Sequence, residues 1–213
     1  QWRHRRTDIS WFMRCLNEHL ARRANEEDGC RGRFWEGRFK TQALLDEAAV
    51  LTCMSYVDLN PVRAAMAQTP EASDFTSIQQ RIREYAAGDE SRLVSEEVPT
   101  RIPLMPLVKQ SEDAHPNALG FTHLDYLELI DWAGRLMRED KRGAISENAP
   151  PILQRLGLDA ERYLAHLAGQ GHLENPMVIG RYEKIKQLAD ALGRRFIKGL
   201  GEAKRLYQGT LPA

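Results

Sequence analysis

Ser55-Tyr56-Val57-Asp58-Leu59-Asn60-Pro61-Val62-Arg63-Ala64 is the stretch on which the reading of this chain turns. It reads as the end of a helix that carries a tyrosine and, one turn later, an asparagine. Asp46 is a good N-cap for that helix, and Glu47 puts an anion in its first turn, where the helix dipole favours one. The helix runs through Ala48, Ala49, Val50, Leu51, Thr52, Cys53 and Met54. It is expected to stop near Asn60, because Pro61 disfavours the helical conformation of the residue before it. Val50, Met54 and Val57 share one apolar stripe, which is the expected core face. Tyr56 lies round from that stripe, on a face with Ala49, Thr52 and Asn60 at spacings of three to four residues. The phenol and the carboxamide therefore point the same way.

Two chemistries fit that pair. Tyr56 is either a rim tyrosine beside a helix-ending asparagine, or a nucleophile with an orienting or metal-ligating amide next to it. A phenol with a pKa of about 10 needs a base, a metal or a polarised phosphate nearby before it attacks. A hard cation such as Mg²⁺ takes oxygen ligands, and an Asn carbonyl is one.

Upstream, Asp8 can cap a helix through Ile9, Trp11, Phe12, Leu16 and Leu20, which the Gly29 to Gly32 loop ends. Arg33 to Leu45 reads as a strand, with Phe34, Trp35 and Phe39 as its β-prone bulk. Its arginines and aromatics interleave, which suits stacking and phosphate contact on a single strand; equally, Trp35 and Phe39 are core residues and Arg33 and Arg38 face water. Downstream, Pro70 to Thr76 reads as a turn, with Ser73 or Asp74 capping a helix over Ile78 to Tyr85. From Ala86 to Gly120 prolines and charge break the pattern, which reads as a linker with Leu104, Met105, Leu107 and Val108 as a strap. Thr122 then caps a strongly periodic helix through Leu124, Tyr126, Leu127, Ile130, Trp132, Ala133, Leu136 and Met137. Further helices are expected from Pro150 to Leu156, from Ala160 to Ala168 and from Glu183 to about Tyr207, with breaks at residues 148–151 and 169–171.

The 30 basic and 30 acidic residues cancel, but basic residues dominate up to Lys40 and again from Arg181 to Arg205, and acids collect between. That distribution is compatible with two phosphate-binding surfaces, or with ordinary solvated helix faces. Cys15, Cys30 and Cys53 make neither a zinc ribbon nor a disulfide framework, which fits a reducing cytoplasm. No apolar run approaches membrane-spanning length. Residues 1–6 are basic with no apolar run after them, unlike a signal peptide.

Tyr56-Val57-Asp58-Leu59-Asn60-Pro61-Val62-Arg63-Ala64 resembles the Tyr-x-x-x-Asn-Pro-Val-Arg-Ala segment of the REP-associated tyrosine transposases, a group of single-tyrosine HUH transposases. Gly32-Arg33-Phe34-Trp35-Glu36-Gly37-Arg38-Phe39-Lys40, followed by Leu44-Leu45-Asp46-Glu47, resembles a second block of that family at its usual distance before the tyrosine. The resemblance covers about the first third to two fifths of the chain. It implies an α+β fold, a ferredoxin-like HUH nuclease domain, here followed by an all-α C-terminal region. It implies DNA as partner, single-stranded or in REP-like hairpins, cleaved through a 5′-phosphotyrosine link to Tyr56. Asn60 would be the helix-borne ligand of Mg²⁺ or Mn²⁺, and Arg33, Trp35, Arg38, Lys40 and Arg63 would contact DNA.

The family's His-hydrophobic-His pair is absent: His4 is followed by Arg5 and Arg6, and His19 stands alone. The chain is therefore expected to be a fragment or decayed copy without its first strands. The expected organisation is a transposase portion over 1–86, a linker over 87–120 and a helical domain over 121–208, in a cytoplasmic monomer or homodimer. The alternatives are a DNA-binding or regulatory relic without catalysis, and a helical scaffold whose tyrosine is structural.

Overall fold

The computed structural model describes residues 5, 7–86, 104–108, 118–139, 149–169 and 178–207. Most of the 87–120 linker, His4 and residues 170–171 lie outside the described residues. The chain divides into two compact units, Gln1–Thr41 and Gln42–Ala213.

The first unit is built on helix α1 (Ile9–Glu27). Asp8 caps it by accepting from the Ser10 and Trp11 amides, and Gly29 leaves it at φ 63. No α1 residue is buried; Ile9, Phe12, Leu16 and Leu20 are all exposed. The expected strand from Arg33 to Leu45 does not form. Residues 33–42 have no ladder partner among the described residues, and only Ala43–Leu44 (β1) is strand. Gly37 interrupts the run, and Trp35 is held instead by its indole N–H, which donates to the Asn17 carbonyl at 2.9 Å.

In the second unit β1 pairs in parallel with β2 (Val178–Ile179), in register Ala43 with Val178 and Leu44 with Ile179. Among the described residues this pair is the whole sheet, and the fold is mostly helical. Helix α2 (Glu47–Asp58) carries the tyrosine, followed by a single turn, α3 (Asn60–Arg63), with Pro61 at its start. Pro61 thus opens a new turn rather than merely ending the old one, since its ring suits a first helical position.

Of the expected stripe, Val50 and Met54 pack partly buried against the core, but Val57 does not, and none of the three is fully buried. Val57 is 57% exposed, and the fully buried positions are Ala48, Ala49, Leu51, Thr52, Ser55 and Asp58, with Leu59 just beyond the helix. Polarity disguises them. Thr52 and Ser55 hydroxyls donate to the Ala48 and Leu51 carbonyls one turn back, each at 2.8 Å, so burial leaves them satisfied.

A short 3₁₀ turn (Pro70–Ala72) leads to α4 (Ser77–Ala86). Neither Ser73 nor Asp74 caps α4. Ser73 donates to the Thr69 carbonyl and Asp74 accepts from the Gln79 side chain. The first turn is held instead by Thr76 Oγ1, which accepts from the Gln79 amide, and by Asp58, which accepts from the Ser77 hydroxyl and the Ile78 amide. Helix α5 (His123–Glu139) begins with a reciprocal cap: Thr122 Oγ1 accepts from the Asp125 amide and Asp125 from the Thr122 amide, the capping-box arrangement. Leu107 of the strap is buried and bridges to Leu119.

Helices α6 (Pro151–Arg155) and α7 (Ala160–Leu167) follow as expected. The long last helix is in fact two, α8 (Tyr182–Ala191) and α9 (Leu200–Leu206). Gly193, at φ 62, takes the left-handed conformation that ends α8 cheaply, and Gly199, at φ 136, is the N-cap residue of α9.

The main core joins α2 (Leu51, Leu59) to α4 (Ile78), α5 (Tyr126, Leu129, Ile130), α6 (Ile152, Leu153) and α7 (Tyr163, Leu167). It therefore draws on residues from both sides of the 87–120 segment. A smaller cluster of Val178, Ile185, Ala189, Ile197 and Ala203 lies under β2 and α8.

Candidate functional site

The expected helix cap places the tyrosine. Asp46 Oδ1 accepts from the Ala49 amide at 2.8 Å and from the Tyr207 hydroxyl at 3.0 Å, while Oδ2 accepts from the Arg181 amide at 2.7 Å. Glu47 accepts from the Gly120 amide at 2.9 Å. The start of α2 is thus fixed by three distant residues, Gly120, Arg181 and Tyr207. Its far end is fixed by Asp58, which also accepts from the buried Tyr126 hydroxyl at 2.6 Å. Burial, then the Asp58 charge, raises the Tyr126 phenol well above its usual value, so it stays a donor.

Between these anchors Tyr56 lies partly buried against the core, and Asn60 is exposed. Arg63 joins them. Its Nη2 donates to Tyr56 Oη at 3.0 Å and also to Asn60 Oδ1. The same guanidinium lies over the Tyr56 ring, 4.8 Å from its centroid, within cation–π range. Arg63 ends the turn that Pro61 opens, seven residues on from Tyr56.

Helix α7 packs on α2 and adds two residues that sequence reasoning missed. The His166 ring lies 5.9 Å from the Tyr56 ring, tilted by 43°. Burial lowers its pKa to about 4, so the ring is uncharged at neutral pH. Gly169, at φ +73, lies so close that an added Cβ would come 3.1 Å from Arg63 Nη1. A lone histidine in a helical pattern gave no signal of this.

Tyr56, Asn60 and Arg63 therefore meet. Arg33, Trp35, Arg38 and Lys40 belong to the other unit, where all four are exposed. Several basic residues of α1 are engaged: Arg22 pairs with Glu18, Arg23 with Glu27, and Arg14 lies over the Trp11 ring. Arg194, Arg195 and Lys198 are exposed.

The donor set does not by itself suit Mg²⁺ or Mn²⁺. The Asn60 carbonyl already accepts from a cation, and among the described residues no group of three or more His, Cys, Asp or Glu comes together as a metal site. What the arrangement offers is a phenol and a permanently charged guanidinium side by side. A guanidinium presents its N–H groups in a fork that matches phosphate, and it cannot take a proton. Among the described residues no helix is long and apolar enough to cross a membrane. No family model, no curated protein and no solved structure matches this chain.

Proposed function

We propose that this chain is the tyrosine-bearing portion of a DNA strand transferase of the single-tyrosine HUH type, acting on single-stranded or hairpin DNA. The observation that carries it is the Arg63 guanidinium hydrogen-bonded to both Tyr56 and Asn60, in a segment that resembles that family's tyrosine motif. The ferredoxin-like nuclease fold, the divalent ion and a cytoplasmic setting belong to the same proposal.

Arg63 contacts a non-bridging oxygen of the scissile phosphate and offsets the charge that develops there. Tyr56 Oη attacks phosphorus. The Oη–P bond forms and the P–O3′ bond breaks. The 3′ oxygen leaves as a hydroxyl, taking up a proton equivalent to the one the phenol loses. The phosphodiester is exchanged for a phosphotyrosyl ester, so no nucleotide cofactor is consumed. The reverse attack by a 3′ hydroxyl completes transfer.

The test is incubation of the chain with hairpin-bearing single strands and Mg²⁺ or Mn²⁺, followed by denaturing electrophoresis. A covalent protein–DNA adduct is expected. Tyr56→Phe should abolish it, and Arg63→Ala should reduce it by about 100-fold, as loss of a charge-stabilising donor does. An adduct that survives Tyr56→Phe overturns the assignment. The absence of a His-x-His pair favours a second reading, a DNA-binding relic or regulator. Salt-sensitive binding without an adduct would select it.

A further inference from the structure

We infer that the C-terminal end of α7 is the second wall of the tyrosine site, with His166 and Gly169 as positioning residues for Tyr56 and Arg63. This rests on the strand-transfer reading for its consequence, but its geometry is independent of DNA.

The motif residues Tyr56, Asn60 and Arg63 all lie within one short segment, and a segment alone leaves a tyrosine ring free to swing. Here the ring has a neighbour 110 positions on. The partly buried imidazole of His166 stands 5.9 Å from it, centroid to centroid, and α7 is itself fixed in the core by Tyr163 and Leu167. The wall stays uncharged near neutral pH, because burial has lowered the imidazole to about 4. A neutral wall leaves the Arg63 charge undiluted for a phosphate. At the next turn Gly169 takes a left-handed conformation, and its missing Cβ leaves Arg63 Nη1 room. Alanine there would be strained by its φ and would press on the guanidinium.

Side chains that hold a reacting group in line affect rate more than binding, and a misplacement of about 1 Å costs about 100-fold. The experiment is the rate of covalent adduct formation with a hairpin single strand, beside the dissociation constant for the same strand. For His166→Ala we expect the rate to fall by about 10- to 100-fold with affinity held within about twofold. His166→Phe, which restores a flat neutral ring, should recover most of the rate, and Gly169→Ala should slow adduct formation. A wild-type rate in His166→Ala overturns the inference. So does a His166→Phe rate as low as that of His166→Ala, which would mean the imidazole acts through its proton. If the wild-type chain forms no adduct, the strand-transfer reading fails and NMR on the DNA-free chain decides the wall. The Tyr56 ring signals should then titrate near pH 4 and lose that titration in His166→Phe. Signals that ignore that titration overturn the wall.

Discussion

Asp58 is a carboxylate at 1% exposure that satisfies three separate donors: the Ser77 hydroxyl, the Ile78 amide and the Tyr126 hydroxyl. Removing it takes the acceptor from all three, of which the Ile78 amide and the Tyr126 hydroxyl are buried. Asp58→Ala should therefore cost about 3 kcal/mol or more of stability, measured by urea denaturation, while Tyr126→Phe, which removes a single donor, costs less. His166 gives a second test, this one in pH. Its imidazole is lowered from 6.5 to about 4 by burial, so between those values the unfolded chain binds a proton that the folded chain refuses. Stability is full above about pH 6.5 and falls as pH drops toward 4. His166→Asn should flatten that dependence between pH 7 and 5, read from denaturation midpoints. The groups described facing His166 are the Tyr56 phenol and, beyond it, Arg63. At this scale the sequence was informative about Tyr56 and Asn60, which helical spacing aligns, while Arg63 entered only through the resemblance. It was silent about His166, whose place depends on where α7 docks.

At the level of elements, α2 shows how periodicity misleads when a core face contains hydroxyls. Counting apolar residues picks Val50, Met54 and Val57. Val50 and Met54 do pack against the core, but the fully buried arc passes through Thr52, Ser55 and Asp58, and its hydrogen bonds are closed locally or by α4 and α5. The expected consequence is a contrast between neighbours on one helix. Leu51→Ala should cost about 2–5 kcal/mol, whereas Val57→Asp, at an exposed position, should change stability by no more than about 0.5 kcal/mol. Thermal denaturation of the two variants distinguishes the faces. The caps at Asp8, Asp46 and Thr122 were legible because capping is a local exchange of a few atoms. The strand over 33–45 was not, because a strand exists only if a partner lies alongside, and Ala43–Leu44 finds its partner more than a hundred residues later at Val178–Ile179. The split between α8 and α9 was legible in Gly193 and Gly199 but was overridden by the apolar period around them.

For the whole molecule, the division between Thr41 and Gln42 separates two kinds of stability. Among the described residues, both hydrophobic clusters lie in the second unit. The first is a 19-residue helix with no buried residue, followed by a segment pinned by Trp35. A helix that buries no residue lacks the tertiary packing from which most helical stability comes. A peptide of residues 1–41 should therefore show weak helical circular dichroism, and a chain starting at Gln42 should keep one cooperative unfolding transition. Of the two basic surfaces read from composition, α1 has Arg22 and Arg23 paired with Glu18 and Glu27, and Arg194, Arg195 and Lys198 are exposed. Asp46 carries a consequence for genetics. The residue that starts the tyrosine helix is held by a hydroxyl 161 positions later. A premature stop codon just ahead of Tyr207 would spare every motif residue in the reading frame, yet loosen the helix on which they ride.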